Sequence, residues 1–174
     1  KLTSNCMLNR NIKHIKADIL TYDFKNIQFT NIVSWLSLYH IPNRINLLKK
    51  LSTLLHEGGF FYAEDFYLKK KLNRIEKNKL AKIFHANHLV SLSVYQKQFV
   101  DNNFEFIELK DMSKNWTAFT KNRLDNYKKN INNHMKVNNK VTVDNVLSFY
   151  NLAFKLLSEN IIGGLKFIAK KKKF

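Results

Sequence analysis

The sequence predicts a doubly wound α/β domain, a sheet with helices on both faces. Three observations carry this expectation. The stretch from Phe29 to Tyr67, FTNIVSWLSLYHIPNRINLLKKLSTLLHEGGFFYAEDFY, reads as strand, helix, strand. Two strands joined by a helix run parallel with a right-handed crossover. The apolar runs in this stretch lack the polar alternation of a half-solvated strand, as expected of strands covered on both sides. Downstream, segments with helical periodicity enclose one further strand pattern and end on another, which continues the α/β alternation.

The elements follow in order. Lys1 to Asn9 has no clear period and reads as the end of a helix, whereas Asn11 to Ile19 sets Ile12 and His14 against Lys13 and Ile15, a short strand with Asp18 at its exit. Asn31 to Leu38 is the next strand, with His40 at its carboxyl end. Pro42 opens a helix where a missing N–H costs least, and Leu47, Leu48, Leu51, Leu54 and Leu55 give it one apolar face that Gly58-Gly59 terminates. Phe60 to Ala63, too short and too aromatic for a helix, reads as a second buried strand closing on Glu64 to Tyr67. A lysine-rich amphipathic helix is expected from Lys69 to about Phe84, and a second helical stretch near Val94 to Asn102. Asn103 to Leu109 alternates as a strand, after which Asp111-Met112-Ser113 reads as the N-cap of a helix bearing Trp116, Phe119 and Arg123. Tyr127 to Lys140 reads as a frayed helix end and loop, Asp144 as the cap of a last helix carrying Leu147, Tyr150, Phe154 and Leu157, and Gly164 to Ala169 as a closing strand.

Composition bounds the function. With 174 residues, 45% hydrophobic and 13% aromatic, the chain has the size and apolar content of one domain with a core. The formal charge of +17 comes from lysines spread through nearly every segment, without aromatic residues interleaved in a basic patch, so it does not point to a nucleic-acid partner. The Lys170 to Lys173 run reads as a solvated tail. A single cysteine, Cys6, excludes an internal disulfide framework and a thiolate metal cage, and fits a reducing compartment. No apolar run approaches the ~20 residues that cross a bilayer, and the expectation is a soluble, cytoplasmic protein without a membrane span.

His40 is the first candidate for chemistry. Ligands of open α/β sheets gather at the carboxyl ends of the strands, and an imidazole, with an unperturbed pKa of about 6.5, takes up a proton near neutrality. His85 and His88, three apart, would share a helix face, but no carboxylate or cysteine accompanies them at ligand spacing, so no metal is expected. Either could face the pocket and contact a phosphate.

The succession ADIL, FTNIVSWLSLYHI, LLHEGGFFYAEDFY, a helical insertion, NNFEFIELKDMSKNW and a terminal GGLKFIAKKK resembles the class I S-adenosylmethionine-dependent methyltransferases. Within them it looks most like the small-molecule N-methyltransferases, particularly the phosphoethanolamine (phosphobase) enzymes. The resemblance implies a Rossmann-like sheet, S-adenosylmethionine as cofactor and a small amine acceptor. It implies that Asp18, Ile19 and Leu20 form the acidic turn at the adenine, and that Ser34, Trp35 and Leu36 pass the methionine part of the cofactor. His40 would match a histidine that, with a partner tyrosine, orders and deprotonates the amine. Asp65, Phe66 and Tyr67 would begin the substrate pocket, helices over residues 69–102 and 114–158 would form its lid, and Lys155 lies near a phosphate-binding lysine.

The departures are as definite. Such enzymes open with a strand, a glycine-rich turn and an acidic residue for the ribose, but here the four glycines form two pairs, Gly58-Gly59 and Gly163-Gly164, already assigned to turns. Thr30 and Asn31 also stand where an aspartate is usual. The match places Lys1 inside the helix after the second strand, so the expectation is a sheet lacking its first two strands and the partner tyrosine, completed by a partner chain or an N-terminal segment and exposing an apolar edge on the Asn31 to Leu38 strand. The leading function is methyl transfer to an amine or phosphobase. The alternative is a non-catalytic methyltransferase-like remnant or scaffold subunit, and an RNA-directed enzyme rests on charge alone.

Overall fold

A computed structural model describes residues 12–173, so Cys6 and the expected helix end at Lys1 to Asn9 lie outside the described residues. The order of elements is β1 (Phe29–Trp35), a 3₁₀ turn (Leu38–His40), α1 (Arg44–Leu54), β2 (Leu55–Leu68), α2 (Arg74–Lys79) running into a π-helical turn (Leu80–Phe84), α3 (Leu92–Val100), β3 (Phe104–Asp111), α4 (Ser113–Lys129), α5 (Ile131–Val137), α6 (Lys140–Ser158) and β4 (Ile162–Lys171). The four strands form one sheet in the order β1-β2-β4-β3. As expected of strands joined by a helix, β1 and β2 are parallel. β4 is antiparallel to both its neighbours, β2 and β3. β3 therefore points the same way as β1 and β2, and the carboxyl ends of these three strands meet at one edge with the start of β4.

Burial explains why the helices lie where they do. On one face Phe61, Ala63, Phe167 and Ala169 are fully buried beneath Leu47, Leu48 and Leu51 of α1 and Tyr95 and Phe99 of α3. The rings are closely matched: Phe61 stacks on Phe99 at 5.8 Å and Phe99 meets Phe167 edge-on at 4.8 Å. Such pairs add about 0.5–1.5 kcal/mol each beyond the area they bury. A second cluster covers the strand ends on the other face, where Tyr39, Phe66, Leu80 and Phe84 pack against Leu152, Ala153, Leu156 and Leu157 of α6. The glycine pair in β4 makes this possible. A Cβ on Gly164 would overlap the Trp116 ring of α4, and one on Gly163 would overlap Tyr67.

Several boundaries differ from the sequence expectations, each for a physical reason. Residues 12–19 form no strand; residues 12–18 are exposed, and a strand needs a neighbour to take its backbone hydrogen bonds. β1 ends at Trp35, and Leu38 belongs to the 3₁₀ turn. Pro42 precedes α1, whose start is set by Asn43 accepting the Asn46 N–H at 3.1 Å. Gly58-Gly59 does not stop that helix. α1 ends at Leu54 and passes directly into β2, where Gly58, at φ +71°, relieves the register shift between Phe29 and Asn31 of β1. β2 is far longer than Phe60 to Ala63 because both its edges are paired. Lys69 and Lys70 are not helical but donate to the Ile161 carbonyl at 3.0 and 3.3 Å; the helix waits for Asn73 and its capping box with Glu76. Residues 127–140 are mostly helical, with Tyr127 stacked on His134 at 4.2 Å. Asn139, accepting the Thr142 N–H at 2.8 Å, caps α6 ahead of Asp144.

The expected apolar edge is present. Among the described residues β1 has no partner on its outer side, and Val33, Trp35 and Leu36 are 49%, 68% and 41% exposed. Phe60, beside β1 on the face not covered by α1 and α3, is exposed too. An open edge of this kind templates further strand pairing.

Two measurements follow from this packing. Gly164→Ala is expected to lower stability by about 1–3 kcal/mol in denaturant unfolding, through displacement of Trp116. Trp35→Lys is expected to reduce self-association in sedimentation velocity, since charge on an edge strand opposes edge-to-edge pairing.

Candidate active site at the strand ends

The end of β1 is held in an unusual conformation. Leu36 has φ +47°, a left-handed value that a leucine adopts at a cost of roughly 1–2 kcal/mol, while its N–H bonds the Glu64 carbonyl of β2 at 2.8 Å. The hydroxyls of Ser34 and Ser37 meet at 2.6 Å across the turn. The following 3₁₀ turn buries Leu38 and Tyr39 and leaves the His40 side chain exposed.

His40 is nevertheless oriented. Its Nδ1 lies 3.1 Å from the carbonyl oxygen of His85, and its ring rests on Tyr39 with centroids 3.9 Å apart. A carbonyl only accepts, so this contact requires the hydrogen on Nδ1 and, in the neutral ring, leaves the lone pair on Nε2. Around it Tyr39 meets Phe66 at 5.6 Å and Phe66 meets Trp116 at 5.1 Å, both edge-on. Burial, reinforced by the charge of Asp65, pushes the Tyr39 hydroxyl up to about 12.

Beneath this turn lies a buried polar cluster. Arg44, the first residue of α1, is 5% exposed, with Nη2 donating to the carbonyls of Leu38 at 3.3 Å and His88 at 2.9 Å and its guanidinium over the Tyr95 ring at 4.7 Å. Asp65, on β2, is fully buried and accepts the Tyr95 hydroxyl at 3.1 Å. Burial pushes its carboxyl up to about 7, against the opposing pull of Arg44, the Tyr95 hydroxyl and the backbone N–H groups of Phe66 and Tyr39. Asp65 Oδ1 and Arg44 Nε and Nη1 have no hydrogen-bond partner.

A second polar cluster stands where β3 ends. Asp111 accepts the Tyr67 hydroxyl at 2.9 Å, pairs with the Lys69 ammonium at 3.0 Å and takes the Ser113 N–H at 2.7 Å and its hydroxyl. Partial burial works against the charged form, but the Ser113 hydroxyl and N–H, Lys69 and the Tyr67 hydroxyl together hold the Asp111 carboxyl down at about 2. This cluster closes one end of a cleft of about 620 Å³ between α4 and the end of α6, whose walls carry Lys69, Lys114 and Lys121.

The sequence candidates fall in different places. Ser34, Trp35, Leu36 and His40 share the end of β1. Asp18 lies in an exposed turn, its Oδ1 accepting the Leu20 N–H at 2.8 Å, and Ile19 and Leu20 pack half-buried on the core while Lys50 of α1 donates to the Leu20 carbonyl at 3.1 Å. Asp65 faces Arg44 and Tyr95 in the interior, Phe66 joins the second apolar cluster, and Tyr67 bonds Asp111. His85 and His88 lie on an irregular segment between the π-helical turn and α3, not on a helix, and each contributes its carbonyl. Lys155 is exposed beside Glu159 at 3.9 Å. Among the described residues no group of three or more His, Cys, Asp or Glu side chains could hold a metal, and no helix is long and apolar enough to cross a membrane. Arg44 was not anticipated. Its signal was a cation at a helix N-terminus, where the macrodipole disfavours it.

Asp65 generates a pH prediction. Its carboxyl titrates near 3.8 in the unfolded chain and at about 7 in the folded one, so its contribution is fully present below the unfolded value and is lost as pH rises through 7. Between pH 5 and pH 8 this is worth on the order of 2 kcal/mol. Denaturant titrations of the native chain and of Asp65→Asn at both pH values should show that loss only where the carboxyl is present.

No family model matches the sequence. A curated relative, (+)-O-methylkolavelool synthase of Herpetosiphon aurantiacus, is 24% identical over 112 residues, 64% of this chain and 40% of that protein. Among solved structures, phosphoethanolamine N-methyltransferase 2 of Haemonchus contortus, in complex with phosphomonomethylethanolamine and S-adenosylhomocysteine, superposes with a TM-score of 0.80 at 15% identity, over 90% of this chain and 36% of that one. A putative sarcosine dimethylglycine methyltransferase from Galdieria sulphuraria gives 0.78 at 9% identity, over 91% and 58%. A cyclopropane synthase from Mycobacterium tuberculosis gives 0.74 at 11% identity, over 84% and 56%. The chain thus spans between about a third and three-fifths of the length of the proteins it matches. With its mixed sheet and strand order, this chain has the Rossmann-like fold of the S-adenosylmethionine-dependent methyltransferases.

Proposed function

We propose that this chain carries the acceptor side of an S-adenosylmethionine-dependent methyltransferase acting on a small amine, with a phosphobase as the best candidate. The observation that carries the reading is His40, exposed at the carboxyl end of β1 with its Nδ1 engaged by the His85 carbonyl and its Nε2 free to accept a proton. A solved structure of similar fold holds phosphomonomethylethanolamine, which agrees with an amine acceptor.

The described residues fit part of the cofactor. The left-handed turn at Leu36 and the exposed Trp35 offer a wall for its methionine end, and the Asp18 turn offers an acidic edge for its adenine. The glycine-rich loop is absent from the sequence, whose glycines lie in β2 and β4. Bound there, S-adenosylmethionine supplies an electrophilic methyl group on a sulfonium. The chain's own part is to hold the amine in line with that group, which is where most of the rate advantage of such a transfer arises. His40 Nε2 accepts the ammonium proton or orients the neutral amine. Trp116, half-buried against Phe66, offers the ring that a cationic headgroup would favour. Helices α2, α4, α5 and α6 then act as the lid, whereas α3 packs with α1 on the sheet, and Lys155 on α6 with His85 and His88 on the segment before α3 are candidate phosphate contacts.

A second reading has its own support. The open outer edge of β1, with Val33 and Trp35 exposed, suits a non-catalytic scaffold in which a partner polypeptide adds a strand there.

Adding phosphoethanolamine at millimolar concentration is expected to displace the NMR resonances of the His40 ring and the Trp116 indole. His40→Ala should weaken the apparent affinity about tenfold, roughly 1.4 kcal/mol. Resonances that stay fixed in the native chain would favour the scaffold.

A further inference from the structure

We infer that Arg44 is the positioning residue that holds His40 in its base-competent tautomer, an inference that rests on His40 being the base. His40 depends on a distant part of the chain for its orientation. Its ring is set by one hydrogen bond, to the carbonyl of His85, and that carbonyl belongs to a segment with no regular structure of its own between Phe84 and Leu92. His85 itself has φ +52°, so the segment leaves the π-helical turn in a left-handed conformation that is uncommon for residues other than glycine. The segment is tied at its ends, where the Ala86 N–H bonds the Leu80 carbonyl at 3.2 Å and the Val90 carbonyl takes the Leu68 N–H at 2.8 Å, so its middle needs a further partner to be fixed against the turn after β1.

Arg44 is placed to do this. Through a single nitrogen it bonds the Leu38 carbonyl, in the same 3₁₀ turn as His40, and the His88 carbonyl, in the same segment as His85. The guanidinium therefore ties together the two pieces of chain between which the His40–His85 contact is made. Its own position is fixed by Tyr95 of α3, over whose ring it lies at 4.7 Å, and Tyr95 is in turn held by Asp65 of β2. A guanidinium buried to this degree, with two of its nitrogens lacking a hydrogen-bond partner, is poor packing if its task were stability alone. An apolar residue of similar volume would fill the space without burying those two unpaired nitrogens. What the apolar residue could not do is donate to both carbonyls.

The consequence for His40 is specific. With the His85 carbonyl in place, Nδ1 carries the hydrogen and Nε2 the lone pair; with the carbonyl displaced, the exposed ring reverts to the tautomer preferred in water, with the hydrogen on Nε2. The base would then present a proton where the acceptor needs a lone pair.

The test reads the tautomer directly. Nitrogen-15 chemical shifts of the His40 ring are compared at one alkaline pH, where an imidazole is neutral, in the native chain, in Arg44→Gln and in Arg44→Lys, with the exposed His56 as internal reference. The Nδ1–H form is expected to dominate in the native chain and to become the minor form in Arg44→Gln, while His56 does not change. Arg44→Lys keeps the charge on a shorter side chain whose nitrogen does not reach the position of Nη2 between the two carbonyls, and should give an intermediate ratio. If Arg44→Gln does not fold, Arg44→Lys decides: a shifted ratio supports the assignment, and a native ratio overturns it. A native His40 ratio in folded Arg44→Gln overturns it equally. No substrate is needed, so this outcome is independent of whether His40→Ala alters phosphoethanolamine binding.

Discussion

The placement of β4 is the constraint on which the rest of this structure depends. An antiparallel strand between β2 and β3 must enter the sheet from the edge where the other three strands end. The helix that precedes it, α6, is thereby delivered to those ends, and its Leu152, Leu156 and Leu157 bury Phe66 and Phe84 there. Gly163 and Gly164 at the start of β4 leave room for the Tyr67 and Trp116 rings, so β2 and α4 approach the strand without a clash. A parallel last strand would have begun at the opposite edge and left the strand ends bare.

The two carboxylates at this edge show how environment divides one chemical group into two roles. Asp111, ringed by donors from Ser113, Lys69 and Tyr67, remains charged down to about 2 and ties the end of β3 to the start of α4. Asp65, on the same side of the sheet as α3 and cut off from water, is pushed to about 7 and opposes Arg44 from across an apolar interior. The chain's large positive charge has little part in this, since most lysines lie at the surface, where water screens them. What matters is Arg44, the one buried cation among the described residues, because water does not solvate its charge and its Nη2 is matched by two carbonyls of the protein.

Much of this was readable in the sequence, and the exceptions have common causes. Leucine periodicity located α1, apolar runs located β1 and β2, and their connection fixed a parallel pair with His40 at the end. The boundaries that shifted are those set by distant partners. β2 is long because β1 and β4 pair with both its edges, and neither pairing leaves a mark in its own residues. The stretch at residues 12–19 alternates like a strand yet forms none, because alternation specifies a face and not a neighbour. At the site, His40 could be found from its position after a strand. Arg44 could not, because its carbonyl partners Leu38 and His88 lie on segments that the fold alone brings together.

On the proposed function, the strand ends form the acceptor side of a methyltransferase fold, while a glycine loop to grip the cofactor is not among this chain's residues. Calorimetric titration of the chain with S-adenosylmethionine tests this most directly. The predicted result is no binding, or binding no tighter than about millimolar, some 4 kcal/mol. Micromolar affinity for the chain alone would contradict it, because the residues described here would then suffice to hold the cofactor.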